Sequence, residues 1–229
     1  MTRSDTTMAR LHPRLLEALN LLPKDKPVHL LTRHSVRELA KNGFADYRLP
    51  LTPEGVEMAR DWGAKLNRPV EAFYSSPVGR CVNTAKAMAE GAVKAGLMAE
   101  TPEDIEVDTT LVEPGCYVVD INEIGPTFFK LGAFRFLNQH LQEPFEGMLS
   151  PAEGRAKLAA YLQEREPSPG HLNVHVTHDT ILAVLVAELH GRRQITEEDW
   201  PWMMEGLWVW FSSGRMHWIW RGDHGHCAL

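Results

Sequence analysis

The sequence predicts an α/β fold of three layers, with helices on both faces of a mainly parallel sheet. Two observations carry this prediction. Short apolar runs alternate with helical patterns, and polar motifs follow directly after three of the runs, at His34, at Ser76 and at His178. Strands that alternate with helices are typical of parallel sheets, whose carboxyl edge is where open α/β proteins bind ligands. We therefore expect the three motifs to meet at that edge.

The N-terminal half supplies the first elements of this pattern. The run Val28 to Leu31 predicts a buried strand, followed by a loop through Leu51. Thr52 is a suitable N-cap and Pro53 a suitable first residue for the next helix. A second strand is expected to end near Ser75, and a helix to run from Ser76-Pro77 to about Glu90. A short amphipathic helix before the first strand is predicted by leucines at helical spacing, namely Leu11, Leu15, Leu16, Leu19 and Leu22.

The segment from about Glu113 to Leu149 interrupts the alternation. Its prolines, glycines and aromatic clusters indicate an insertion of short helices and loops over the carboxyl edge of the sheet, here called the cap, at about residues 113–150 of a single domain spanning 1–229. Loops over a rigid scaffold commonly read the substrate. Four cap residues fit equally well as pocket lining or as the core of the cap: Phe128, Phe129, Phe134 and Arg135.

The C-terminal part resumes the alternation. It predicts a helix from Pro151 to about Arg165, a strand from Leu172 to Thr177 and a helix from Thr180 to His190. A β-hairpin is expected where Leu207 to Phe211 and Met216 to Trp220 flank the turn residues Ser212 to Arg215. The last residues, including His224-Gly225-His226-Cys227, are expected to be a frayed tail rather than a metal site.

The first motif, Arg33-His34-Ser35-Val36-Arg37, places a histidine between two arginines after a strand. Arginine presents a permanent, fork-shaped cation that matches phosphate oxygens. The arrangement therefore suggests chemistry on a phosphoryl group. Each residue also has an ordinary explanation, a hydrogen-bonded histidine at a strand end and surface ion-pair partners, and Arg37 next to Glu38 fits the latter best. Arg80, by contrast, would be unfavourable at a helix N-terminus, which points to a functional reason.

Two further motifs accompany the first, and together they resemble the histidine phosphatase superfamily, which contains the cofactor-dependent phosphoglycerate mutases and the histidine acid phosphatases. The resemblance rests on Arg33-His34-x-x-Arg37, on Ser75-Ser76-Pro77-x-x-Arg80 with Thr84-Ala85, and on His178-Asp179. It implies a phosphoglycerate mutase-like fold. It also implies a phosphohistidine intermediate on His34, with the phosphate held by Arg33, Arg37, Arg80 and His178, and requires neither a metal nor another cofactor.

Two carboxylates are candidates for the acid that protonates the leaving group. Asp179 follows His178, a pairing that resembles the acid phosphatase branch, but it also stands where a helix N-cap belongs. Glu113 resembles the acid of the mutase branch, but it is equally an ordinary loop carboxylate. On the sequence alone we favour Asp179 slightly. Two positions depart from the family pattern: Ser35 follows the nucleophile where glycine is usual, and Asp179 replaces the glycine expected in mutases.

Composition narrows the function classes. The chain has 229 residues, a net charge of −6 and three cysteines without paired spacing. This acidity argues against general binding to nucleic acid or to an anionic membrane. The N-terminus does not resemble a secretory signal, and a reducing cytoplasm is the simplest location. We expect a phosphatase acting on a small phosphorylated substrate or a phosphoprotein. A phosphoglycerate-type mutase and a non-catalytic phospho-ligand binding protein remain as alternatives.

Overall fold

The computed structural model describes residues 11–39 and 47–229. Residues 40–46 of the loop expected before Leu51 lie outside this range, as do residues 1–10, where no secretory signal is expected. Seven strands are present in the described ranges: β1 (Val28–Arg33), β2 (Val70–Ser75), β3 (Glu106–Val107), β4 (Leu172–Thr177), β5 (Gly206–Ser212), β6 (Arg215–Trp220) and β7 (Asp223–Ala228).

Seven α-helices accompany the strands in the same ranges: α1 (Pro13–Ala18), α2 (Pro53–Gly63), α3 (Gly79–Lys94), α4 (Ile121–Leu131), α5 (Ala133–Gln142), α6 (Pro151–Gln163) and α7 (Asp179–Leu189). Short 3₁₀ turns lie at Leu19–Leu21, Thr109–Leu111 and Gly115–Tyr117. The predicted start of α2 is confirmed, because Thr52 is its N-cap residue, with a side chain that accepts a hydrogen bond from Gly55 N, and Pro53 is its first residue. Helix α3 begins at Gly79, three residues after the predicted start.

The strands form one mixed sheet in the order β3-β2-β4-β1-β5-β6-β7. The first four strands of this order are parallel, and β5, β6 and β7 continue from β1 as an antiparallel meander. The predicted hairpin is β5–β6, with its turn at Ser213 and Gly214, both at positive φ. A second turn of the same kind, at Arg221 and Gly222, leads into β7. The prediction of a frayed C-terminal tail is therefore wrong, since the residues of β7 pair with β6 as an edge strand.

The two faces of the sheet carry separate cores, as a three-layer fold requires. Alternate residues of a strand point to opposite faces. Leu30 accordingly packs in the cluster that contains Trp62 of α2 and Met88 of α3, whereas Leu31 packs in the cluster that contains Leu158 of α6 and Leu185 of α7. The α/β class and the three layers predicted from the sequence are confirmed. No helix in the described part of the chain is long and apolar enough to cross a bilayer.

Helices α2 and α3 approach each other through glycines. A Cβ atom on Gly63 would lie 2.0 Å from the Met88 carbonyl oxygen, and one on Gly91 would lie 1.9 Å from the Arg60 carbonyl oxygen. These distances are far shorter than van der Waals contact, so both positions require glycine. The close approach holds α3, whose first turn carries Arg80, against α2.

Candidate active site

Three neighbouring parallel strands deliver the predicted motifs to one edge of the sheet. Strand β4 lies between β2 and β1. Beyond the strand ends the pairing continues, because His34 N donates to Thr177 O at 3.0 Å and Ser76 N donates to Val176 O at 2.9 Å. The residues that follow the strands, His34, Ser76 and His178, are therefore placed side by side by backbone geometry.

The imidazole of His34 is held in a defined tautomer. Arg80 Nε donates to His34 Nε2 at 3.0 Å, and His34 Nδ1 lies 2.8 Å from the carbonyl oxygen of Ser35. A guanidinium can only donate, so Nε2 carries the lone pair and Nδ1 carries the hydrogen that it donates to Ser35. Burial, and then the charges of Arg33 and Arg80, lower the pKa of His34 well below its ordinary value. The ring is neutral, with Nε2 free to act as a nucleophile once Arg80 changes partner.

His178 stands opposite, with its ring centroid 5.7 Å from that of His34. Its Nε2 lies 2.9 Å from Ser76 Oγ, and its Nδ1 lies 3.4 Å from Nη2 of Arg80. Burial, followed by the charge of Arg80, lowers the pKa of His178 to about 3. Arg80 thus bridges two neutral histidines, and it does so from the first turn of α3, where a cation is electrostatically unfavourable. A bound anion would relieve this arrangement.

Two more arginines lie around the same point. Arg33 is buried, and its Nη2 pairs with Asp179 Oδ2 at 2.6 Å while its Nη1 donates to Pro201 O at 2.6 Å. Its Nε is buried without a partner among the described residues. Arg37 is half-buried and donates to Glu38 O. The pKa of Arg37 is lowered by burial and then by Arg80 and Arg33, so its guanidinium shares their surroundings. Three cations thus lie together.

The two candidate acids are in opposite electrostatic states. Glu113 is buried with its side chain 10% exposed, and its Oε2 lies 3.9 Å from His178 Nδ1. Burial, with the charge of Asp179, raises the pKa of Glu113 to about 7. Burial also acts to raise the pKa of Asp179, but Arg33, His34, His178 and a hydrogen bond from Trp200 outweigh it, and the net shift is downward. Glu113 therefore keeps a proton near neutral pH, and Asp179 does not.

Two site residues belong to no sequence motif that would have identified them. Tyr47 lies with its ring 5.2 Å from the Arg80 guanidinium, and burial together with Glu113 raises its pKa to about 12. Trp200 donates from Nε1 to Asp179 Oδ2 at 3.2 Å. Both residues lie in loops outside the motifs, so only the folded chain places them here.

The serine that replaces glycine after His34 is used for packing. Ser35 Oγ donates to Gly55 O at 2.6 Å, and Ser35 N donates to Thr84 Oγ1 at 3.0 Å. Thr84 in turn donates to Arg80 O at 2.7 Å. The hydroxyl therefore points into α2 rather than toward Nε2 of His34. The serine ties the histidine loop to the helix that carries Arg80.

Contacts and chain adjacency bring together six of the seven residues singled out in the sequence: Arg33, His34, Arg80, Glu113, His178 and Asp179. Arg37 is linked to them through the charges of Arg80 and Arg33. Within residues 11–39 and 47–229, no group of three or more histidine, cysteine, aspartate or glutamate side chains is arranged to hold a metal ion.

Comparison with known proteins agrees with the class suggested by this site. The family model described as histidine phosphatase superfamily (branch 1) matches residues 29–204. The chain belongs to the histidine phosphatase superfamily. No protein with a curated function matches the chain.

Solved structures share the fold at low sequence identity. A phosphoserine phosphatase mutant from Entamoeba histolytica is 17% identical, covers 88% of this chain and 95% of its own, and superposes with a TM-score of 0.56. YhfR from Bacillus stearothermophilus is 19% identical, with coverages of 86% and 96% and a TM-score of 0.53. A phosphoglycerate mutase from Bacillus anthracis is 15% identical, with coverages of 90% and 94% and a TM-score of 0.50. At these identities the likeness shows the fold, which phosphatases and a mutase share.

Proposed function

We propose that this protein is a phosphatase that hydrolyses phosphomonoesters through a phosphohistidine on His34. The observation that carries the proposal is the state of His34, a neutral imidazole whose Nδ1 is tied to Ser35 O and whose Nε2 faces Arg80. A phosphoryl group needs an attacking lone pair and cations over its oxygens, because positioning and charge neutralisation dominate phosphoryl transfer. His34 supplies the lone pair, and Arg33, Arg37 and Arg80 supply the charge.

In the first step the phosphate oxygens take over donors of Arg80, and His34 Nε2 attacks phosphorus. A P–N bond forms and the bond from phosphorus to the ester oxygen breaks. The leaving oxygen takes a proton from Glu113, whose pKa burial raises to about 7, so that about half of the molecules carry the proton at neutral pH. His178 and the arginines hold the oxygens of the transferred group.

In the second step water attacks the phosphohistidine. The P–N bond breaks, the proton of water passes to the Glu113 carboxylate, and phosphate leaves with His34 again neutral. The assignment of Glu113 as the acid replaces the slight preference for Asp179 drawn from the sequence. Its support is that Asp179 accepts a charged hydrogen bond from Arg33 and has a lowered pKa, so it is ionised when a proton is needed.

The proposal is tested by measuring hydrolysis of p-nitrophenyl phosphate with wild type and His34→Ala, each with and without a chelator. We expect chelator-resistant turnover that is lost in His34→Ala. Quenching at high pH should trap a phosphoenzyme that is stable to base and labile to acid, as phosphoramidates are.

Three results would contradict parts of this proposal. Turnover that survives in His34→Ala would exclude His34 as the nucleophile. A phosphoenzyme that forms but transfers its phosphoryl group to a second substrate rather than to water would indicate a mutase. Phosphate binding without any phosphoenzyme would indicate a non-catalytic binding protein.

A further inference from the structure

Three aromatic side chains extend outward from the candidate phosphate site, and we call them the aromatic rim: Tyr47 and Trp200, which contact site residues, and Phe134, which contacts Trp200. Tyr47 packs against Arg80. Trp200 donates its indole N–H to Asp179, the residue next to His178. The ring of Phe134, at the start of α5, lies 6.0 Å from that of Trp200. The rim therefore connects the cap to the charged groups around His34.

The ring of Phe134 has different contacts from the ring of Phe128, another phenylalanine of the cap. Phe128 packs edge-on against the buried Phe136 at 5.1 Å and lies on the core cluster of that face. Phe134 is 38% exposed and its ring lies on Trp200, at the margin of the core. Core packing explains Phe128, whereas Phe134 leaves part of its ring exposed beside Trp200, the residue that contacts Asp179.

The polar groups nearest Phe134 and Trp200 already have partners, apart from the buried Nε of Arg33. Arg33 pairs with Asp179 and donates to Pro201 O, and the indole N–H of Trp200 is used by Asp179. A leaving group that carries a carboxylate or ammonium would find no unused polar group on Phe134 or Trp200, because phenylalanine has none and the indole N–H is occupied. A flat apolar group would instead pack on Phe134 and Trp200 without cost to them, because aromatic rings favour offset or edge-on contact with another ring.

We propose that the leaving group accepted by this site is aromatic, so that its substrates are aryl phosphate monoesters, with Phe134 and Trp200 as residues that determine specificity. This inference rests on the proposed phosphatase function and adds the substrate class to it. In the first chemical step the departing oxygen is phenolic, and the ring attached to it lies against the rim while Glu113 delivers the proton.

The test compares leaving groups within each variant, because aryl esters are intrinsically more reactive than alkyl esters. We would measure kcat/KM for phenyl phosphate, 1-naphthyl phosphate and glycerol 2-phosphate with wild type, Phe134→Leu, Phe134→Tyr and the control Phe129→Leu. Phe129 is a 67% exposed phenyl on α4 of the same cap, and its ring packs on Phe128. Phosphorylation of His34 by acetyl phosphate, which has no ring, reports the chemistry separately.

We expect Phe134→Leu to lower kcat/KM for the two aryl esters by about three- to tenfold, the effect of one aromatic contact, with the larger loss for the naphthyl ester. Phe134→Tyr should restore these values, and Phe129→Leu should change none of them. Glycerol 2-phosphate turnover and labelling by acetyl phosphate should stay constant throughout. A phosphotyrosyl peptide with a higher kcat/KM than phenyl phosphate would assign the aryl group to a protein, and a lower one would assign it to a free small molecule.

Two results would overturn the inference: equal losses for aryl and alkyl esters in Phe134→Leu, or no loss for either. Failure of the proposed function is distinguishable from both, since wild type would then form no phosphohistidine with acetyl phosphate or with any ester.

Discussion

Replacement of Glu113 by glutamine is the sharpest test of the chemistry. The substitution keeps the size and polarity of the side chain but removes its transferable proton. Burial raises the pKa of Glu113 to about 7, from an ordinary value of 4.5. At about 1.4 kcal/mol for each pKa unit, the folded site favours the protonated carboxyl by about 3 kcal/mol relative to an exposed glutamate. About half of the enzyme therefore carries the proton at neutral pH, where an exposed glutamate would be almost entirely ionised.

This shift fixes the direction of the pH dependence. An acid must be protonated to act, so kcat/KM of wild type should fall about tenfold for each pH unit above about 7. A bound phosphate brings negative charge close to Glu113 and raises its pKa further, so the basic limb of the kcat profile lies at higher pH than that of kcat/KM. The acidic limb, set by ionisation of the substrate phosphate at a pKa of about 6, belongs to the substrate and should be the same in every variant.

Glu113→Gln should lower kcat/KM for an alkyl phosphate by about 100- to 10,000-fold, the usual contribution of general acid catalysis, and should remove the basic limb. The loss should be much smaller for p-nitrophenyl phosphate, because its leaving group departs without a proton. The assay is a set of pH profiles for glycerol 2-phosphate and p-nitrophenyl phosphate with wild type, Glu113→Gln and Asp179→Asn. A basic limb that persists in Glu113→Gln and disappears in Asp179→Asn would refute the assignment.

Three other predictions follow from single contacts. Asp179→Asn should lower kcat/KM about tenfold for aryl and alkyl esters alike, because it weakens the charged hydrogen bond that orients Arg33. The basic limb should remain but move to lower pH, because the charge of Asp179 helps to raise the pKa of Glu113. An effect confined to alkyl esters would instead indicate that Asp179 is an acid. Burial lowers the pKa of His29 to about 3. Below pH 6.5 the unfolded chain therefore takes up a proton that the folded chain does not, and stability decreases as the pH is lowered from 6.5 toward 3. His29→Gln should therefore reduce the stability lost between pH 7.5 and pH 5 by about 2 kcal/mol in urea titrations, and an unchanged loss would assign the proton uptake elsewhere. Gly91→Ala should destabilise the fold by about 1–3 kcal/mol in the same titrations, because the added Cβ clashes with Arg60 O. Gly79→Ala, which has open space around its Cβ, should instead stabilise the fold by about 0.5–1 kcal/mol. Equal effects of the two substitutions would show that the helices can separate.

Strands β1, β2 and β4 were predictable because apolar residues recur along them and turn or helix signals follow, whereas β3, two exposed residues long, was not predicted. The predicted strand Leu172 to Thr177 coincides with β4, and β1 extends the predicted run by two residues to Arg33. The start of α3 was misplaced because Ser76 still donates its N–H to Val176 O, so the chain remains strand-like there and turns into a helix only at Gly79.

The edge strand β7 was not predicted, for a different reason. Its residues include His224, Gly225 and His226, a composition that predicts no strand. What makes it a strand is the two-residue turn at Arg221 and Gly222, which returns the chain alongside β6 and lets the backbone pair. Backbone pairing with a neighbour formed earlier in the chain overrides weak local preference, and a pattern of side chains does not record that neighbour.

The choice between Glu113 and Asp179 as the acid could not be made from the sequence for a similar reason. Motif spacing identifies two carboxylates near a histidine, because strand ends are local features. It does not reveal that Glu113 is buried with its Oε2 3.9 Å from a neutral His178, while Asp179 is held by Arg33 and by Trp200, 21 residues away. The proton affinity of each carboxylate is the difference between a burial penalty and the charges that oppose it. For Asp179 the opposing charges prevail, and for Glu113 burial prevails, so two similar side chains acquire opposite protonation states from contacts that only the fold creates.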